Sequence, residues 1–310
     1  MTRTLTRPRV LFIGGSGRSG STLMARLLGD VDGFVSVGEL RYVWERGFVH
    51  NHLCECGQAF RECPFWAEVV DRAFGGFATF DAEAVRRNQR AVDRIRYVPE
   101  LLWRGSRTEA FRRHLGEFEK TLELLYSAIL DVSGANVVVD SSSDPTYGFV
   151  LRSVELLDVL VVHLVRDSRA VAYSWTRSKK RPEISGRTVY MRQRPPIQSA
   201  VHWGVHNLLL EMLAARDRNV LRVRYEDLVT DPDDVVRSTC AVLGNPGDAS
   251  SIAVPRHSIS GNPMRFESGP LRVQLDDEWI KALATGDRRL VTLATAPLLA
   301  RYGYIGRRAR

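Results

Sequence analysis

The sequence predicts an α/β fold, a parallel central sheet flanked by helices, on three observations. Short β-branched runs alternate with longer helix-compatible segments. The runs are continuously apolar, as strands covered on both faces are. A glycine-rich turn joins the first run directly to a helical pattern. In order, "RVLFIGG" (9–15) is the first strand, followed by the turn and the helix "STLMARLLGD". "FVSVGE" (34–39) is a shorter strand, and "NVVVD" (136–140), "VLVVHLV" (159–165) and "VLRVRYE" (220–226) are three more. Residues 65–133 read as helical, chiefly "DAEAVRRNQRAVDRIRYVPELLW" and "RTEAFRRHLGEFEKTLELLYSAILDV". They are expected as an insertion over one end of the sheet, within one domain spanning 1–310. Their Arg86, Arg87, Arg90, Arg94 and Arg96 fit the solvated face of amphipathic helices. "RSKKRPEISGRTVYMRQRPP" (177–196) is basic and rich in Pro and Gly, the composition of a lid-type loop. A second long loop begins at His257 and runs into "DDEWIKAL", where an aspartate is expected as N-cap.

Lys and Arg number 44 against 36 Asp and Glu, giving a net charge of +8. That balance suits anionic ligands without choosing among nucleic acid, a membrane surface and a nucleotide. No apolar run reaches the roughly 18–20 residues that span a bilayer. The basic opening "MTRTLTRPRV" leads only into "VLFIGG", too short for the core of a signal peptide. A cytoplasmic location is therefore expected. Four cysteines in 310 residues do not make a disulfide scaffold.

The turn after the first strand, "GGSGRSGST", is nearly a phosphate-binding loop. Against the template G-x-x-x-x-G-K-[ST], Gly15, Gly20 and Thr22 fit, but Ser21 stands where the lysine belongs. The strong cation of the loop is instead Arg18. Gly14, Gly15, Gly17 and Gly20 allow backbone amides to turn inward. Ser19, Ser21 and Thr22 add hydroxyl donors where a helix dipole already favours an anion. Without the lysine that serves β- and γ-phosphates, an ordinary nucleoside triphosphatase or nucleotide kinase fits poorly. "VVVD", ending at Asp140, keeps that alternative open, since it resembles a strand whose aspartate assists a metal.

Four segments carry a family resemblance. "GSGRSGSTLM" resembles the 5′-phosphosulfate loop of bacterial-type sulfotransferases, which use 3′-phosphoadenosine 5′-phosphosulfate. "LVRDSRAVAYSW" (164–175) is similar to that family's 3′-phosphate motif, with Arg166 and Ser174 at the gripping positions. "RVRYEDLVTDP" (222–232) resembles the segment whose tyrosine lies near the adenine, here Tyr225. "GNPMRF" (261–266) looks like the late loop that closes over the nucleotide, with Arg265 as its cation. The intervals add a physical reason. Arg166 ends a strand, the edge where open α/β sheets bind ligands, and Ser174 follows two helical turns later.

The resemblance implies a P-loop-like fold and an in-line sulfuryl transfer to a hydroxyl or amine of a small-molecule, lipid or carbohydrate acceptor. It implies no nucleic-acid partner and no metal, and it leaves a homodimer open. The nucleotide site would comprise Gly17, Arg18, Ser19, Gly20, Ser21, Thr22, Arg166, Ser174, Tyr225 and Arg265, with the helical insertion capping the acceptor side. Glu39, in "VSVGELRYVWERG", resembles the catalytic glutamate of tyrosylprotein sulfotransferases and is the candidate general base, with Arg18 stabilising charge. His50 and His52 are alternative bases. Bacterial relatives carry a lysine in "DSSK-x-P" where this chain has Ser143, so a cation such as Arg41 or Arg265 would have to substitute, or the chain would be a non-catalytic binder. Trp44, Phe48, Phe65, Trp66 and Trp103 are candidates for an apolar cleft or for core. Cys54, Cys56 and Cys63 read as a compact turn with partly buried thiols bordering the acceptor cleft. A Cys54–Cys63 bridge, or a zinc site completed by His50 or His52, is the alternative.

Overall fold

A computed structural model describes residues 7–184, 186, 188–244, 256–267, 271 and 273–305. Strand β1 (Arg9–Gly15) runs into α1 (Ser21–Gly29), then β2 (Phe34–Gly38). Helices α2 (Pro64–Phe74), α3 (Ala82–Val92), α4 (Val98–Leu102) and α5 (Glu109–Ser133) follow. Next come β3 (Val137–Ser143), α6 (Pro145–Ser153), β4 (Asp158–Val165), α7 (Ser168–Thr176), α8 (Pro196–Ala214) and β5 (Val220–Arg224). The last elements among the described residues are α9 (Tyr225–Thr230), α10 (Pro232–Val242), α11 (Trp279–Ala282) and α12 (Thr285–Arg301). All five strands are parallel, in the order β2-β3-β1-β4-β5, as the apolar runs predict. The chain leaves β1 toward β2 and later crosses to β4 on the other side. The crevice at the C-terminal ends of β1, β3 and β4 is thus a topological switch point.

Alternate residues of the strands bury on opposite faces, because side chains on a strand alternate. Val10, Phe12, Val138 and Val161 join one core, which continues into α5, α6 and α8. Leu11, Ile13, Val139 and Val162 join a second core under α1 and α10. The β1–β3 register shifts between Phe12 and Gly14, and that of β2–β3 between Ser36 and Gly38. Both irregularities fall at the C-terminal ends, where the strands splay around the crevice. Gly38 is the sharper case: its φ is 80°, and any Cβ would collide with the Ile259 carbonyl.

Asp140 stands at this edge fully buried. Its carboxylate accepts from Tyr126 Oη (2.5 Å), Ser142 Oγ (2.5 Å) and Ser142 N (2.9 Å). Burial pushes its pKa up to about 6, against the pull of those donors. With its oxygens sealed away from the crevice, Asp140 is unsuited to holding a metal there. Tyr126→Phe is expected to destabilise the fold by about 1.5–3 kcal/mol, the scale of a hydrogen bond to a charged group. The loss should be larger at pH 7 than at pH 5, because the donor serves the ionised form that prevails above about pH 6. Urea unfolding at the two pH values checks both.

One expectation changes and another gains detail. The helix expected to start at an Asp N-cap is only four residues long, with Glu278 before it and no side-chain cap. The long terminal helix starts later, at Thr285. The loop 177–196 folds back on itself through a Lys180–Tyr190 bridge and an Arg181 N bond to Val189 O (2.8 Å). The backbone finds partners within the loop that its polar sequence does not advertise.

Candidate active site

A cavity of about 370 Å³ opens at the switch point. Its floor is the β1–α1 turn, with Gly17, Arg18, Gly20, Ser21 and Thr22 facing it. Ser143 hydroxyl donates to Ser21 Oγ at 3.0 Å. Gly20 has a φ of 98°, and a Cβ there would lie 2.5 Å from the Tyr225 ring, so the turn and the tyrosine fit only with glycine. Arg18 and Ser143 also take positive φ, 76° and 65°, without being glycine. Such backbone costs on the order of 1–3 kcal/mol and persists where surroundings enforce it. Ser19 is buried beneath the turn and does not face the cavity.

Arg166 directly follows β4 and stacks on Tyr225, with its guanidinium 4.3 Å from the ring centroid. It donates to Arg18 O (3.1 Å) and pairs with Asp276 (3.1 Å), not with Asp167, which is taken by Arg169. Ser174, from α7, lines the same wall, and the next residue, Trp175, lies between two cations. Arg18 and Arg194 sit 4.9 Å and 4.2 Å from its ring. Burial lowers the Arg18 pKa, partly offset by the nearby Glu39, and Arg18 Nε has no partner among the described residues. Arg166 Nε is likewise unpartnered. Desolvated guanidiniums with spare donors favour an incoming anion.

Glu39 follows β2 and is largely buried. Its backbone N–H donates to Ile259 O (2.9 Å), and its carboxylate pairs with Arg46 at 3.2 Å. Burial raises its pKa, opposed by Arg46, Arg265 and Arg18 in that order. The candidate base and the loop cation therefore face one space.

Arg265 lies behind this wall rather than on it. It is buried and donates to Ser258 O (2.6 Å) and Leu53 O (3.1 Å), bordering a separate small cavity. Arg41 is taken up by Asp93 (2.7 Å) and Asp144 (3.0 Å), so neither supplies the cation missing at Ser143. Arg46 and Arg194 line the cavity instead. His50 and His52 stack on each other outside it. The histidines at the cavity are His202 and His206, with ring centroids 3.8 Å apart. Burial lowers His202 to about 3 and also lowers His206. The aromatic residues split: Trp44, Phe48 and Trp66 are core, Trp103 is half exposed, and none of them lines the cavity. No lining residue comes from 64–133, which meets the site through the Arg41–Asp93 pair.

The model of the Sulfotransferase family matches residues 8–249. The chain belongs to the sulfotransferase family. Comparison with curated protein sequences gives no significant match. Among solved structures, this sulfotransferase is similar to the sulfotransferase domain of the Synechococcus PCC 7002 olefin synthase. The two share 20% identity over 99% of each chain, with a TM-score of 0.56, a likeness of fold. The sulfotransferase domain from the curacin biosynthetic pathway is 17% identical over 94% of this chain and 97% of its own, with a TM-score of 0.49. No described helix of the transferase is long and apolar enough to cross a membrane.

A signal for His202 and His206 was present in the sequence, since positions four apart share one helix face. Nothing comparable marks Arg46, Arg194 or Asp276, which reach the cavity from separate segments. The cysteines form no disulfide, and the histidine beside Cys54, Cys56 and Cys63 is His257, not His50 or His52. That cluster is separate from the cavity lining.

Proposed function

We propose that the transferase moves a sulfuryl group from 3′-phosphoadenosine 5′-phosphosulfate to a hydroxyl or amine of a small-molecule, lipid or carbohydrate acceptor. The observation that carries this reading is one cavity that gathers an anion-binding turn, a neighbouring cationic wall and a carboxylate, Glu39. The β1–α1 turn offers amides, Ser21, Thr22 and Arg18. Beside it, with Arg166 bonded to the Arg18 carbonyl, Arg166, Ser174 and Tyr225 share a wall. The turn suits a 5′-phosphate and the wall a 3′-phosphate, while Tyr225 suits an adenine edge. Tyr42, Trp175, Met191 and Met264 add apolar lining suited to the carbon frame of an acceptor.

In this reading Glu39 takes the acceptor proton as the acceptor oxygen or nitrogen attacks sulfur. The bond from sulfur to the leaving phosphate oxygen breaks in line, and Arg18 stabilises the charge gathering on that oxygen. Catalysis is positioning plus electrostatics. Arg265 holds the 258–262 segment beside Glu39 and so acts as a positioning residue. Arg46 and Arg194 are the cations available where Ser143 has none.

Titration calorimetry tests the assignment. Adenosine 3′,5′-bisphosphate is expected to bind without metal, and ATP with magnesium weakly. Tight ATP–magnesium binding without bisphosphate binding points to a nucleotide kinase instead, and bisphosphate binding without transfer to any acceptor points to a non-catalytic relative. Arg166→Ala should weaken bisphosphate binding by about 1.5–3 kcal/mol. Asp276→Asn should strengthen it about two- to fivefold, because the carboxylate now paired with Arg166 competes with the incoming phosphate. An unchanged affinity in both variants would remove Arg166 from the phosphate site.

A further inference from the structure

Cys54, Cys56 and Cys63 lie outside the cavity, yet they converge with a histidine 194 residues from Cys63. Cys54 opens a tight turn and Cys56 lies within it. Cys54 N donates to Gln58 O (2.8 Å), Gly57 N to Cys54 O (3.0 Å), and Gly57 has a φ of 88°. Cys63 directly precedes α2, its N–H bonded to Ala59 O at 2.9 Å. His257 lies on the segment 256–262, which forms a strap beside the end of β2. Its ring stacks on Phe65 at 4.7 Å and 8°, and its carbonyl accepts from Trp66 Nε1 at 2.8 Å.

The distances have a specific meaning. Sγ of Cys63 lies 3.6 Å from Sγ of Cys56 and 3.7 Å from Sγ of Cys54. His257 Nδ1 lies 3.3 Å from Sγ of Cys63 and 3.9 Å from Sγ of Cys54. All four ligand atoms fall within 4.8 Å of one another. A disulfide would bring two sulfurs to about 2.05 Å. A tetrahedral zinc, with Zn–S near 2.3 Å and Zn–N near 2.0–2.1 Å, sets its ligands about 3.6–3.8 Å apart. The four separations just given, 3.3–3.9 Å, bracket the edges of that tetrahedron, and the other two lie within 4.8 Å.

We propose that Cys54, Cys56, Cys63 and His257 bind one zinc ion in a closed structural site. Three thiolates and an imidazole are a soft, tetrahedral donor set that leaves no position for substrate. Binding releases three thiol protons and leaves the site with a net charge of minus one. Arg265, bonded to the Leu53 carbonyl beside Cys54, is placed to offset it. The ion ties the 53–63 turn to the strap at 257–262. The strap in turn bridges Gly38 through Ile259, accepts the Glu39 N–H, and donates from Asn262 N to Thr22 Oγ1 (3.4 Å). Zinc thus holds the edge of the sheet on which Glu39 stands.

Metal analysis of protein purified reduced and without chelator is expected to give about one zinc per chain. Protein stripped and refilled with cobalt(II) should show the visible bands of a tetrahedral thiolate site. Cys63→Ser should lose both signals. Because Cys63 is buried and that variant risks misfolding, Cys56→Ser, at the exposed ligand, provides a second test: a folded protein with at least about tenfold weaker metal binding. Folded, reduced protein with less than about a tenth of an equivalent of zinc and no cobalt bands overturns the proposal. So does metal retained equally by both variants, or a Cys54–Cys63 or Cys56–Cys63 disulfide seen by intact mass. These readouts do not involve the nucleotide, so their failure leaves the sulfuryl-transfer reading standing.

Discussion

Arg18→Ala is expected to lower the rate of sulfuryl transfer by about 10²–10³-fold, the cost of removing one preorganised charge donor from a developing anion. The loss should fall on kcat more than on bisphosphate affinity, because the loop amides, Ser21 and Thr22 remain. The variant should also melt no lower than the parent. Burial lowers the Arg18 pKa and leaves its Nε unpartnered, a desolvation cost that offsets what its contact with the Trp175 ring contributes to the fold without ligand. Activity without stability is the signature of a residue held for its ligand. Single-turnover kinetics and calorimetric melting separate the two effects. Full turnover in Arg18→Ala would leave the transfer without its central cation and sink the assignment.

Glu39→Gln is the second large effect, a fall of about 10²–10⁴-fold if the carboxylate takes the acceptor proton. The pH profile gives the sharper reading. A base works deprotonated, so kcat/KM should rise with pH through the pKa of Glu39 and then level. Burial holds that pKa above the ordinary range of about 4.3, and Arg46 is the strongest cation pulling it back. Arg46→Met should therefore move the rising limb to higher pH, whereas Glu39→Gln should erase it. If the limb survives Glu39→Gln, the base is another group, and His206 at the same cavity is next to examine.

Ser143 concentrates what the sequence left open. A cation was expected at its position, and Arg41 and Arg265 were the substitutes on offer. Both are committed elsewhere, Arg41 to two aspartates and Arg265 to two carbonyls. Besides Arg18 and Arg166, the cations that reach the cavity are Arg46, on the helical stretch Val43–Val49 after β2, and Arg194, on the folded-back loop. Neither belongs to a motif, because each arrives by packing rather than by spacing. The aromatic residues are a second instance. Trp44 and Trp66 pack among phenylalanines in the core, which composition alone does not distinguish from a cleft.

The sequence by itself determined the parallel sheet, because strands buried on both faces need apolar runs, and the glycine turn with its displaced cation, because local backbone chemistry is written in adjacent residues. It also placed Arg18, Glu39, Arg166 and Tyr225 just beyond strand ends, which a parallel sheet gathers to one edge, with Ser174 two helical turns after Arg166. Only the tertiary structure decided what meets across long intervals. His257 joins three cysteines some two hundred residues before it, Asp276 joins Arg166, and Arg265 turns inward. Those meetings depend on how loops cross the finished sheet, and a loop's path is set by the surfaces it packs on rather than by its own periodicity.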